Sequence, residues 1–122
     1  MQHVDLKQAS IDHLLSHETV EPIVVTACTP AACLLSLDEH IPRHIDWNWI
    51  KASLGKNDVI TRMSAYKPTN FEHLDKACTF IKEHPHWHQI EFRKANKTAA
   101  SIAEWSENVV NHYAKSTKHH TK

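Results

Sequence analysis

The stretch from Trp87 to Tyr113 constrains the fold of this chain more than any other. Its apolar side chains fall at Phe92, Ala95, Ala99, Ile102, Trp105, Val109 and Tyr113, at intervals of three and four. That period is one face of an α-helix, narrow like a seam that lies along another helix. Arg93, Lys94, Lys97, Glu104 and Glu107 fall mostly off it. Ala95, Ala99 and Ala100 permit close approach near its start, while Trp105 and Tyr113 fill space further along. A single helix of about 25 residues would be about 37 Å long at 1.5 Å per residue. In a chain of 122 residues, other elements must pack along it.

Those elements also read as helical. The chain has one glycine, Gly55, and five prolines, whereas all-β folds draw heavily on turn glycines. Residues 1–21 carry Val4, Leu6, Ile11, Leu14 and Leu15 as an amphipathic lead, with Ser10 as N-cap. Pro22 suits the first turn of the next helix, which is apolar almost all round to Leu37. Pro30 inside it predicts a kink or a split. Residues 38–46 read as a surface loop. Trp47, Ile50, Lys51 and Leu54 set a short helix closed by Gly55. Asn57 or Asp58 caps another, with Val59, Ile60, Met63 and Tyr66 inward, and Pro68 ends it. Thr69 or Asn70 starts a further helix with Phe71, Leu74, Ala77, Cys78 and Ile81 inward. The expectation is an all-α, irregular bundle of about six unequal helices. It divides into an N-terminal helical lead (1–21), a helical domain (22–113) and a basic flexible tail (114–122).

Lys+Arg and Asp+Glu balance at 14 each, so an electrostatic partner must be met by a local patch. Cys28, Cys33 and Cys78 are odd in number and lack a CxxC spacing, which suits buried thiols in a reducing compartment. No stretch approaches the roughly 18 apolar residues of a membrane span, and no secretory leader is visible. These features predict a soluble, cytoplasmic protein.

The order of these pieces resembles the microtubule-binding domain at the tip of the dynein heavy-chain stalk, over roughly residues 10–113. Pro22 with Ile23-Val24-Val25 and Cys33-Leu34-Leu35 is similar to the family's first helix. Trp47, Lys51, Leu54 and Gly55, then Val59-Ile60, Met63 and Tyr66, look like its next two helices. Asn70-Phe71 is similar to a short step that follows. Pro85, Trp87, Ala99, Ile102 and Trp105 match its proline–aromatic turn and long helix. The resemblance implies a helical bundle that binds the groove between α- and β-tubulin, without catalysis or cofactor. By position, Lys94 falls where the family carries a tubulin-contacting arginine, flanked by Arg93 and Lys97. Thr26 stands where the first helix usually has a contacting lysine or arginine, a departure that Arg43 and His44 in the following loop can partly offset. Pro30 and Lys67-Pro68 also depart from the family pattern. No coiled coil flanks the domain and no ATPase ring accompanies it. The chain therefore reads as a tip domain cut from a heavy chain or as a free-standing relative, and Met1 favours the second.

Two other chemistries remain open on the residues. His84, His86 and His88 alternate around Trp87 among twelve histidines and can be set against Zn²⁺, although no cysteine or carboxylate has matching spacing. Cys33 or Cys78 with a histidine is the one nucleophile–base pair to consider, and both lie on apolar faces. Basic residues form no stripe, which argues against nucleic acid. The expectation is a non-enzymatic microtubule-binding module of the cytoplasm and cytoskeleton, in a cilium or flagellar axoneme, with no membrane or nucleic-acid partner. The alternative is a scaffold with the same fold that docks onto another axonemal or dynein-complex protein.

Overall fold

The computed structural model describes residues 6–36, 41–55, 58–67, 71–85 and 87–120, with side chains through Tyr113. Among them are seven helices and no strand: α1 (Gln8–Leu15), α2 (Pro22–Leu35), α3 (Trp47–Leu54), α4 (Val59–Ser64), α5 (Phe71–Glu83), α6 (Gln89–Ala95) and α7 (Lys97–His120). The all-α expectation holds, with one helix more than expected.

Helix α2 is the axis of the bundle. It packs most extensively on α7, then on α5 and α3. Ala27, Cys28, Ala31, Ala32 and Cys33 are all at most 1% exposed, and α7 buries Ala99, Ala100 and Ala103. Small side chains on both helices let their backbones approach closely, so dispersion contacts accumulate despite modest side-chain volume. Pro22 occupies the first turn as expected. Pro30, however, neither splits nor ends the helix, which runs on to Leu35. In the turns before Pro30, the Thr29 hydroxyl donates to the Val25 carbonyl at 2.7 Å and that of Thr26 to the Pro22 carbonyl at 3.1 Å. At the far end, the Arg62 guanidinium donates to the Leu35 carbonyl, placing a cation at the negative pole of α2.

Around this axis, aromatic N–H and O–H groups tie the other helices to one another. Trp47 donates to the His17 carbonyl at 2.9 Å, tying α3 to the chain just after α1. Trp105 donates to the Met63 carbonyl at 3.3 Å, and the Tyr113 hydroxyl to the Tyr66 carbonyl at 3.3 Å, so α7 holds the end of α4 at two places. The Tyr66 ring meets both Trp105 and Tyr113 edge-on. Asp46 caps α3 by accepting from the Trp49 N–H at 2.9 Å. Gly55 follows α3 with φ of −83°, an ordinary value, so its need is spatial. A Cβ there would lie 2.5 Å from the Lys51 carbonyl oxygen, which accepts the Gly55 N–H.

Several expectations are corrected. The long helix from Trp87 is two helices, because Asn96 is extended (φ −165°, ψ 119°) and its side chain caps α7. Its apolar seam survives the break: Phe92, Ala99, Ile102, Trp105 and Val109 are buried, and Ala95 and Tyr113 partly so. α1 begins at Gln8 with Lys7 at the N-cap, two residues before Ser10. Phe71, expected inward, is 65% exposed because it opens α5, while Leu74 and Ala77 carry that helix's burial. α7 continues to His120, past the point where the tail was expected to begin. Asn57, Pro68, Thr69 and Asn70 lie outside the described residues.

Candidate functional site

Trp87 sets the geometry of the first candidate surface. Its Nε1 donates to Glu107 Oε1 on α7 at 2.6 Å, and its ring meets Phe80 on α5 edge-on at 6.3 Å. Phe92 packs beneath it, with ring centroids 4.9 Å apart, and is 1% exposed. With Phe92 fixed inward, the next two residues of α6, Arg93 and Lys94, project into solvent. Lys94 Nζ lies 3.9 Å from Glu91 Oε1, and both side chains are more than half exposed. A pair of that kind is worth well under about 1 kcal/mol and leaves the charge available.

The break at Asn96 adds the third cation. Asn96 Oδ1 accepts from the Ala99 N–H at 3.0 Å, starting α7 with Lys97 as its exposed first residue. α7 has no acidic residue in its first turn, so Lys97 sits against the positive pole of its own helix. That placement costs roughly 0.3–1 kcal/mol, which a bound anion would relieve. Arg93 and Lys94, by contrast, complement the negative end of α6. The three cations therefore flank a helix junction, where the sequence predicted one continuous basic face.

Thr26 and Arg43 lie elsewhere, on a cleft of about 400 Å³ bounded by α2, the 41–46 segment and α5. Thr26 brings no cation, and its hydroxyl proton is committed to the Pro22 carbonyl. His44 is exposed beside Arg43 but does not line the cleft. Lys76 and His84 do line it, and sequence reasoning missed both. The available signal was the spacing of Lys76, Phe80 and His84, every fourth residue along α5 and so on one face. Attention to the apolar series Leu74, Ala77 and Ile81 on the neighbouring face hid it.

The thiols and histidines separate from this picture. Burial pushes Cys28 and Cys33 up to about 12, with the Lys76 charge pulling Cys33 down in opposition. Both are thiols and not thiolates near neutral pH. Cys78 is half-buried. His84 lies against the Phe80 ring at 4.9 Å, His88 is exposed at the N-cap of α6, and His86 lies outside the described residues. Among the described residues, no group of three or more histidines, cysteines or carboxylates could hold a metal ion. Nor is any described helix long and apolar enough to cross a membrane.

No family model, curated protein or solved structure matches this chain.

Proposed function

We propose that this chain is a non-catalytic microtubule-binding module similar to the dynein stalk tip, a cytoskeletal component of the cytoplasm or of a ciliary axoneme. The observation that carries the reading is the cationic junction between α6 and α7. Arg93, Lys94 and Lys97 are exposed there, with one weak ion pair and no acid in the first turn of α7. Arg43 and His44 supply accompanying exposed cationic or titratable contacts, and Thr26 an uncharged one. In a molecule with no net charge, such a patch attracts an acidic polymer such as tubulin locally, raising the encounter rate in a salt-dependent manner.

Cosedimentation with polymerised tubulin tests this. The wild-type chain should pellet with microtubules at low salt and release as salt rises through about 0.2 M. Changing Arg93, Lys94 and Lys97 together to glutamate should weaken pelleting by on the order of a hundredfold, as like charges then face each other. Circular dichroism should be unaltered, since all three are exposed. Failure of the wild-type chain to pellet rejects the reading.

A second reading is favoured by Thr26. The first-helix contact of the resembling family is a cation, and here it is a hydroxyl turned back on its own helix. On that reading the chain is a scaffold that docks onto another axonemal or dynein-complex protein.

A further inference from the structure

The cleft between α2 and α5 combines two properties that the α6–α7 junction lacks. Val25, Ile45 and Phe80 form the apolar part of its floor beside the buried Thr29 and Cys33, and the exposed Arg43 and Lys76 and the half-buried His84 also line it. No carboxylate is among the described residues that line it, although the chain carries as many acids as bases. The Lys76 charge is close enough to act against the effect of burial on the Cys33 thiol, which also lines the cleft. An apolar cleft alone would accept any apolar side chain, and a cationic rim alone any polyanion. Together they select a chain that carries both kinds of group within a few residues. At about 400 Å³ the cleft is in the range of ligand sites and holds only a few side chains.

We propose that this cleft is a docking site for a short, extended acidic peptide segment of a partner protein, with one apolar side chain seated between Val25, Ile45 and Phe80 and flanking carboxylates on Arg43 and Lys76. Alternate side chains of an extended segment point to opposite sides, so one can fill the floor while its neighbours reach the rim. This activity is separate from polymer contact at the α6–α7 junction. Arg43 and Thr26 are common to the two surfaces, so Lys76 and Lys94 are the residues that tell them apart.

The test uses the full chain and a fluorescein-labelled peptide of alternating glutamate and leucine, followed by anisotropy. Lys76→Glu should weaken binding at least about tenfold, because a desolvated like-charge contact replaces an attractive one. Thr79→Trp, an exposed α5 position on the cleft, should block the floor without altering charge and cause a comparable loss. Lys94→Glu should leave the affinity within about twofold, as a rim charge on another surface. Peptide binding unaffected by Lys76→Glu and Thr79→Trp overturns the proposal. So does equal binding of a glutamine–leucine peptide, or a loss with Lys94→Glu as large as with Lys76→Glu, which would mark unspecific attraction. Microtubule pelleting of the same variants keeps the two readings distinct. Pelleting retained by Lys76→Glu and lost with the junction variants supports separate sites. A chain that binds peptide but never pellets rejects only the polymer reading. If Lys76→Glu lowers both activities, the cleft belongs to the polymer surface and the separate site is overturned.

Discussion

Pro30 and Asn96 both sit within long helical stretches, yet only the residue compatible with a helix interrupts one. Pro30 lies within α2 among side chains almost wholly removed from solvent, and the helix passes through it. Asn96 has its own N–H bonded to the Phe92 carbonyl at 2.8 Å, but it leaves helical geometry and caps a new helix. The difference lies in what each neighbourhood holds in place. Burial on α7, α5 and α3 fixes α2 on both sides of the proline, and tertiary packing outweighs a lost backbone bond of about 1 kcal/mol. At Asn96 the two sides carry different anchors, although α2 packs on both: Phe92 is locked under Trp87, while α7 lies along α2. Two anchors in different directions require a corner. The corner turns Arg93, Lys94 and Lys97 outward around a junction.

The largest way to break this contrast is to loosen the anchoring of α7. Trp105 is 4% exposed, donates to the Met63 carbonyl and packs edge-on with Tyr66. Trp105→Ala should destabilise the fold by about 3–5 kcal/mol, through lost burial, a cavity and an unpaired carbonyl. Denaturant unfolding monitored by far-ultraviolet dichroism measures it. A loss below about 1 kcal/mol would mean that the anchoring of α7 on α4 does not depend on this indole.

How far these features were legible in the sequence follows the same division. Pro22 and Gly55 act through neighbours a few residues away, so the start of α2 and the end of α3 could be read locally, whereas the Asp46 cap went unread in a segment taken as loop. The seam from Phe92 to Val109 was legible because period alone specifies a face. The corner was not, for asparagine followed by Lys-Thr-Ala-Ala reads equally well as helix interior or as N-cap. The pull of Trp87 on Glu107, twenty residues away, decides between them. Phe71 misled for a related reason: it continues the inward series of α5, but at the first turn it stays exposed while Leu74 and Ala77 are buried. The cationic junction was visible as composition. The cleft was not, because Arg43 and Lys76 meet only through the packing of α5 and the 41–46 segment on α2.

A medium effect separates the two neighbourhoods by pH. Cys28 and Cys33, raised from 9.0 to about 12 by burial, keep their protons in the folded chain while the unfolded chain loses them near 9. The folded state then binds more protons across pH 9 to 12, so stability is full below that window and falls as pH rises through it. Each thiol should contribute about 1 kcal/mol of loss between pH 9 and pH 10. Urea midpoints at the two pH values measure the sum, and Cys28→Ala should remove about half of it. A midpoint that does not move across that interval would show that α2 is not packed tightly enough to exclude the thiolate.

Asn96→Ala tests the corner itself. Losing the cap on the Ala99 N–H should cost about 1 kcal/mol, while Asn96→Asp or Asn96→Ser should stay within a few tenths, since both retain a capping oxygen. Helicity should not increase in the alanine variant, because Phe92 and Trp87 still direct α6 away from the axis of α7. A rise in helical signal would show that the asparagine, and not the anchors on either side, makes the corner.

The smallest effect is expected at Pro30, and its smallness is the informative part. In an exposed helix interior, replacing proline by alanine gains about 3 kcal/mol. Three circumstances offset that gain in α2. The ring is fully buried, so Pro30→Ala removes apolar contacts from a packed site and leaves a void. The unfolded chain regains backbone freedom worth about 0.4–1 kcal/mol. Packing of α2 on α7, α5 and α3, moreover, holds helical geometry around residue 30 whichever residue stands there. The net change should stay within about 1 kcal/mol, read as a shift in denaturant midpoint at constant slope. A stabilisation near 3 kcal/mol would show instead that packing on α7 and α5 forces α2 through a strained proline. The junction at Asn96 would then be the relaxed of the two interruptions.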